Sequence, residues 1–218
     1  MTKTSRRWAC ALGLCAVSGV AGAAESNFSA FLDGKPIGEH RFVVSGPAEA
    51  REVLSDARFT VKLLGLTVYR YRHQATERWR GDCLDSLSAT TDDDGSMSRV
   101  RAEPAGEGLS VTAEAGAGAG TAPMVRALSG CVMSFAYWNP AMRHQSRLLN
   151  AQTGKAETVR VNRLGDGPIE VRGQPVVATR WRIEGPPQPI DVWYSAQGEW
   201  VGLDSTLEGG RQLAYRLK

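Results

Sequence analysis

Apolar and polar residues alternate with a period of two along most of this chain, the pattern of strands that bury one face. "FSAFLDGKPIGEHRFVV" reads as a hairpin about an Asp33-Gly34 turn, and "REVLSDARFTVKLLG" continues it. The longest run is "TVYRYRHQATERWR". Tyr69, Tyr71, His73, Ala75 and Trp79 share one face, and Arg70, Arg72, Gln74, Thr76, Arg78 and Arg80 share the other. Glu77 interrupts the apolar face. At about 3.3 Å per residue this strand is long enough to demand coiling or a bulge. The "TDDDG" turn leads to a further hairpin, and then small residues from Ala113 to Pro123 predict a flexible loop. From Ala156 onward, apolar runs separated by Gly-Asp-Gly-Pro, Pro-Pro, Ala-Gln-Gly and Glu-Gly-Gly predict a meander.

One stretch departs from the pattern, "CVMSFAYWNPAMRHQSRLLNAQTG" at 131–154. Asn139 followed by Pro140 is a helix start: the side chain caps, and proline is preset for the first helical position. The spacing of Met142, Gln145 and Leu149, with Gly154 beyond, predicts a helix of about three turns from Pro140 to Asn150 packed on the sheet. With roughly ten strands and little else, the chain is predicted to be mainly β. The expected form is a single antiparallel sheet curled into a barrel or half-barrel, with one short covering helix. No fixed repeat and no separating linker appears, so residues 24–218 form a single expected domain.

Residues 1–23 read as a secretion signal. Lys3, Arg6 and Arg7 precede the uncharged run "WACALGLCAVSGV", and Ala21 to Ala23 offer small residues for cleavage. The apolar run is about 13 residues, short of the ~20 that span a bilayer, and no later stretch is longer. A periplasmic chain starting near Ala24, with no transmembrane span, is therefore expected. Export changes the charge picture. Three of the 26 basic residues and none of the 23 acidic ones lie in the signal, so the remainder is formally neutral and lacks the basic excess that nucleic-acid binding requires.

Two of the four cysteines also fall in the signal, leaving Cys83 and Cys131. An isolated pair in an oxidising compartment predicts a disulfide, worth about 4 kcal/mol in the chain-entropy picture for a loop of this size. No C-x-x-C spacing points to redox chemistry.

Catalytic signals are thin. His40, His73 and His144 stand in different elements, without metal-ligand spacing, and no G-x-S-x-G is present. The adjacent aspartates of "TDDDG" point in different directions and suit a solvated turn better than a calcium loop. No catalytic residue, metal site or cofactor is assigned. Glu77, on a face destined for burial, is expected to pair with an arginine from a neighbouring strand. Aromatic residues offer the clearest site. Tyr69, Tyr71, Trp79, Tyr137, Trp138 and Trp193 are the candidate walls of a pocket for an apolar small molecule or lipid.

"YRYRHQATERWR", "LDSLSATTDDDG", "MSFAYWNP", "LLNAQTGK" and "VWYSAQGEWVGLDSTLEGGRQLAYRL", in that order, resemble the exported bacterial β proteins of domain-of-unknown-function family 6134. The resemblance covers nearly all of the chain after the signal. It implies a periplasmic antiparallel β domain and carries no activity with it. Three readings follow: an envelope carrier of an apolar ligand, an accessory module that binds another envelope protein through a sheet edge, and, third, a hydrolase.

Overall fold

The structure, a computed structural model, describes residues 23–115 and 122–218. Residues 1–22 of the predicted signal and the middle of the small-residue loop lie outside the described residues. The strands are β1 (Ala24–Leu32), β2 (Lys35–Ser45), β3 (Arg51–Leu63), β4 (Leu66–Arg80), β5 (Cys83–Asp93), β6 (Ser96–Ala105), β7 (Gly108–Glu114) and β8 (Met124–Ser129). After a 3-10 turn (Pro140–His144) come β9 (Arg147–Leu149), β10 (Ala156–Thr158), β11 (Arg160–Val171), β12 (Gln174–Glu184), β13 (Ile190–Tyr194), β14 (Trp200–Thr206) and β15 (Gln212–Leu217).

Thirteen strands make one antiparallel sheet in the order β11-β12-β13-β14-β15-β1-β2-β3-β4-β5-β6-β7-β8, and β9 and β10 form a separate hairpin. Two meanders are thus joined side by side where Phe28 to Leu32 of β1 pair with Leu217 to Leu213 of β15. The sheet curls but does not close, with β8 and β11 as its edges. What connects those edges is the segment from Gly130 to Val159, which crosses the concave side and acts as a plug. It buries Val132, Met133, Ala136, Met142, Leu148 and Leu149 against the inner faces of the strands.

The predicted covering helix is not formed. Asn139 does cap, accepting the backbone N–H of Ala141 at 3.0 Å. The helix it starts is only the 3-10 turn, because Arg147 to Leu149 pair with Thr158 to Ala156 as a hairpin instead. A cap specifies where a helix begins, and strand pairing in the plug decides how far it runs.

Several bonds fix the plug in place. Cys83 and Cys131 form a disulfide at its entrance, Leu84 N–H donates to Val132 O at 2.7 Å, Asn139 Nδ2 donates to Asp82 at 2.9 Å, and Tyr194 Oη donates to Tyr137 O at 2.8 Å.

On the other flank, the far end of the β11–β12 hairpin lies over the outer face of β13 and β14. Ile169 there occupies the space a side chain at Gly202 would need, and Gly167 lies against the ring of Trp193. Both faces of β13 are buried as a result.

The long strand behaves as its alternation predicts. His73, Ala75, Glu77 and Trp79 are buried, and every arginine of β4 is exposed. A register shift between Arg78 and Trp79 relieves its length.

Candidate functional site

The plug fills only part of the concave side. Between it and β2, β3 and β4 lies a cavity of about 430 Å³, within the roughly 300–1,000 Å³ of small-molecule sites. Its existence follows from side-chain size. At the centre of the wall, β3 presents Ser55 and Ala57, paired in register with Ala75 and His73 of β4, while the plug presents Ser134, Ala136 and Ala151. Small residues face small residues where a filled core would interdigitate large ones. Phe42 and Val53 close the chamber from β2 and β3, and Tyr137 and Trp138 do so from the plug. Its far side is β13 to β15, through Ile190, Leu203 and Tyr215, with Pro186, Pro187 and Gln188 of the preceding loop.

Polar groups are few, and burial sets their state. His40 Nε2 is 2.7 Å from Ser55 Oγ. Burial, aided by nearby His73, lowers the His40 pKa to about 3. His73 Nδ1 is 2.9 Å from Thr91 Oγ1, and burial lowers its pKa to about 4. Both imidazoles are therefore neutral around pH 7. Burial pushes the Glu77 carboxyl up, an effect only partly offset by the Ser134 hydroxyl beside it and by the Trp79 indole, whose N–H donates at 3.0 Å. Among the described residues no arginine reaches Glu77, contrary to the expected ion pair: the β4 arginines point outward, and its inward-facing register partners are Val53 and Leu87. One buried polar atom on the chamber wall, His40 Nδ1, makes no hydrogen bond among the described residues. The chamber is thus largely apolar, with both of its histidines neutral around pH 7 and hydrogen-bonding capacity left over at His40 Nδ1.

Ser55 and His40 have the spacing of a nucleophile and its base, but the arrangement is not activated. His40 Nδ1 has no carboxylate to orient the ring or to stabilise an imidazolium, and burial opposes protonation. His73 and Glu77, four residues apart on one extended strand, stand about 13 Å apart along the backbone, too far for proton sharing.

Of the predicted aromatic walls, Tyr71, Tyr137 and Trp138 line the chamber. Trp79 lies behind it in the core, edge-on to Trp138 at 5.3 Å. Tyr69 stands beyond the chamber with its hydroxyl on Asp93 at 2.6 Å. Trp193 faces away, donating its indole N–H to Asp204 at 2.7 Å on the outer side of β13. Sequence reasoning missed His40, Ser55, Ala57, Ala136 and Ser134. The first three were within reach, since the parity that places Phe42 and Val53 inward also places His40, Ser55 and Ala57 there.

The profile of a domain of unknown function, DUF6134, matches residues 28–218. Among solved structures, the chain is similar to the crystal structure of a β-barrel-like protein of domain of unknown function DUF1849 from Brucella abortus. The TM-score is 0.62 at 10% identity, covering 91% of this chain and 96% of that one. A likeness at that identity carries the fold alone. No curated protein matches the chain.

Proposed function

The chain belongs to the DUF6134 family, and we propose that it is exported to the periplasm and there holds a small apolar molecule in the chamber between the plug and β2 to β4. The observation that carries this reading is the cavity itself, walled by small and aromatic residues and left open by a plug that fills the rest of the concave side. The unpaired His40 Nδ1 adds that the ligand has a hydrogen-bonding group, and the neutral histidines favour an uncharged one. The disulfide supports the export half of the reading, because such bonds persist in oxidising compartments.

Titration with N-phenyl-1-naphthylamine, a neutral apolar fluorophore, tests the chamber. Saturable binding at one site is expected, and Ala75→Leu, which adds bulk at a small residue of the lining, should abolish it while the thermal midpoint stays near that of the parent. Equal binding by Ala75→Leu, or none by the parent after organic extraction of any resident ligand, overturns the reading. Recovery of the chain from the periplasm with a mass beginning near Ala24 tests export.

A further inference from the structure

The β3–β4 hairpin is longer than its neighbours, and its end stands apart from the sheet. Pairing of β2 with β3 stops at Gly38 and Phe59, and pairing of β4 with β5 starts at Tyr71 and Asp93. Residues 60 to 69 therefore form backbone pairs only within their own hairpin among the described residues, as a two-stranded ribbon. Its tip is apolar and solvent-facing: Leu63 is 63% exposed, Leu64 96%, Leu66 72% and Val68 50%.

The turn at this tip is chemically odd. Among the described residues, four tight turns place a non-glycine residue and the glycine after it both at positive φ: Asp33-Gly34, Leu64-Gly65, Asp94-Gly95 and Arg172-Gly173. Asp suits that conformation, and Leu does not. Leu64 thus holds a backbone conformation unfavourable to it while burying almost none of its side chain. Folding gains nothing from a leucine there, so its use lies outside the fold.

We propose that the Leu63–Val68 tip inserts into the surface of a lipid bilayer. Three features on the molecule favour this occupant. The tip is a convex projection, which a fluid interface closes around, whereas a protein partner would need a matching groove. The ribbon's charged side chain, Lys62, is basic, as is Arg70 at its root, and Lys35 of the adjoining turn adds a third. Of the nearby carboxylates, Asp33 is paired with Arg211, while Asp93 and Asp94, hydrogen-bonded to Tyr69 and to the backbone of Arg70, stand at the ribbon's root beside Arg70 and away from the Leu63–Val68 tip. The tip is therefore apolar, with Lys62 and Lys35 as the basic groups beside it, suited to anionic headgroups. Finally, the ribbon rises at one end of the chamber. Tyr71, which lines the cavity, is paired with Phe59 at the ribbon's root. Leu213, also in the lining, is paired with Leu32 beside Lys35. This last feature alone rests on the chamber reading, for it would let an apolar cargo pass between bilayer and cavity without crossing water.

Flotation with vesicles tests the insertion independently of any cargo, using the chain as recovered from an expression host after export. The parent should float with vesicles of phosphatidylethanolamine and phosphatidylglycerol, and more weakly with phosphatidylcholine alone. Leu64→Asp, which installs the residue found in two of the other turns, should lower the bound fraction about tenfold or more without lowering the thermal midpoint. Lys62→Ser should weaken binding to the anionic vesicles only. Absence of flotation, or unchanged flotation by Leu64→Asp, overturns the proposal. So does a Leu64-dependent dimer in sedimentation velocity without vesicle binding, which would assign the tip to a second copy of the chain.

Discussion

The two buried histidines should make this fold acid-sensitive well above the range in which carboxylates titrate. An unfolded histidine takes its proton near 6.5, whereas folded His40 and His73 hold out to about 3 and about 4. Between those values the unfolded chain binds more protons, so stability falls as pH drops, most steeply around pH 5, and the loss ends at the folded pKa values. Each histidine contributes about 1.4 kcal/mol per pH unit within that window. From about pH 7 to about pH 5 that amounts to about 2 kcal/mol each, or about 4 for the pair. Glu77 works in the opposite sense. Its folded pKa is raised, so the folded form binds the proton first and stability lost on ionisation returns as pH falls toward 4.5. A comparison between proteins that share Glu77 cancels this effect.

The comparison is a double variant, His40→Gln with His73→Asn, whose amides stand where Nε2 meets Ser55 and Nδ1 meets Thr91. Urea unfolding at both pH values should show the parent losing about 4 kcal/mol more than the variant. Parallel losses would mean that the imidazoles titrate as they do in water, and the account of a closed, water-poor chamber wall would fail with them.

Trp193→Ala should lower stability by about 3 to 5 kcal/mol in denaturant unfolding and leave fluorophore binding unchanged, because the ring packs on Gly167 outside the chamber; reduced binding at intact stability would put it back in the wall. Without reductant, Cys83 and Cys131 should resist alkylation, and replacing both with alanine should cost about 4 kcal/mol. Ready labelling of both in the folded protein would refute the bond.

The sequence exposes the parts of this fold in which a single face is buried. In β4 the arginines face water and the alternate positions face the core, so parity alone places Tyr71, His73, Ala75, Glu77 and Trp79. Where two faces are buried, that information is lost. β13 is covered on its outer side by β11, so Trp193 carries no mark of which way it points. The plug has the same difficulty. Leu148 and Leu149 are adjacent and both fully buried, which neither a helical nor a strand period accounts for, and the Asn139 cap marks a helix start without showing how soon the pairing of β9 with β10 ends it. The chamber was hard to see for another reason. Its volume comes from Ser55, Ala57, Ala75, Ser134, Ala136 and Ala151, a group that only register and the plug's path bring together. Aromatic residues announce themselves in a sequence, and the space beside them does not.

The pairing of β1 with β15 sets a timetable for making the molecule. β1 leaves the ribosome among the first of the described strands and can join β2 at once across the Asp33-Gly34 turn. Its other edge stays open until Leu213 to Leu217 have been synthesised. Through that interval, the inward-facing Phe28, Ala30 and Leu32 have only one of their flanking strands. The seam therefore forms late and over the longest loop in the fold, the kind of contact that slows folding and leaves strand edges available for wrong pairings. A chaperone that occupies the free edge of β1 during translation or translocation would be guarding the position at which the two halves of the sheet become one.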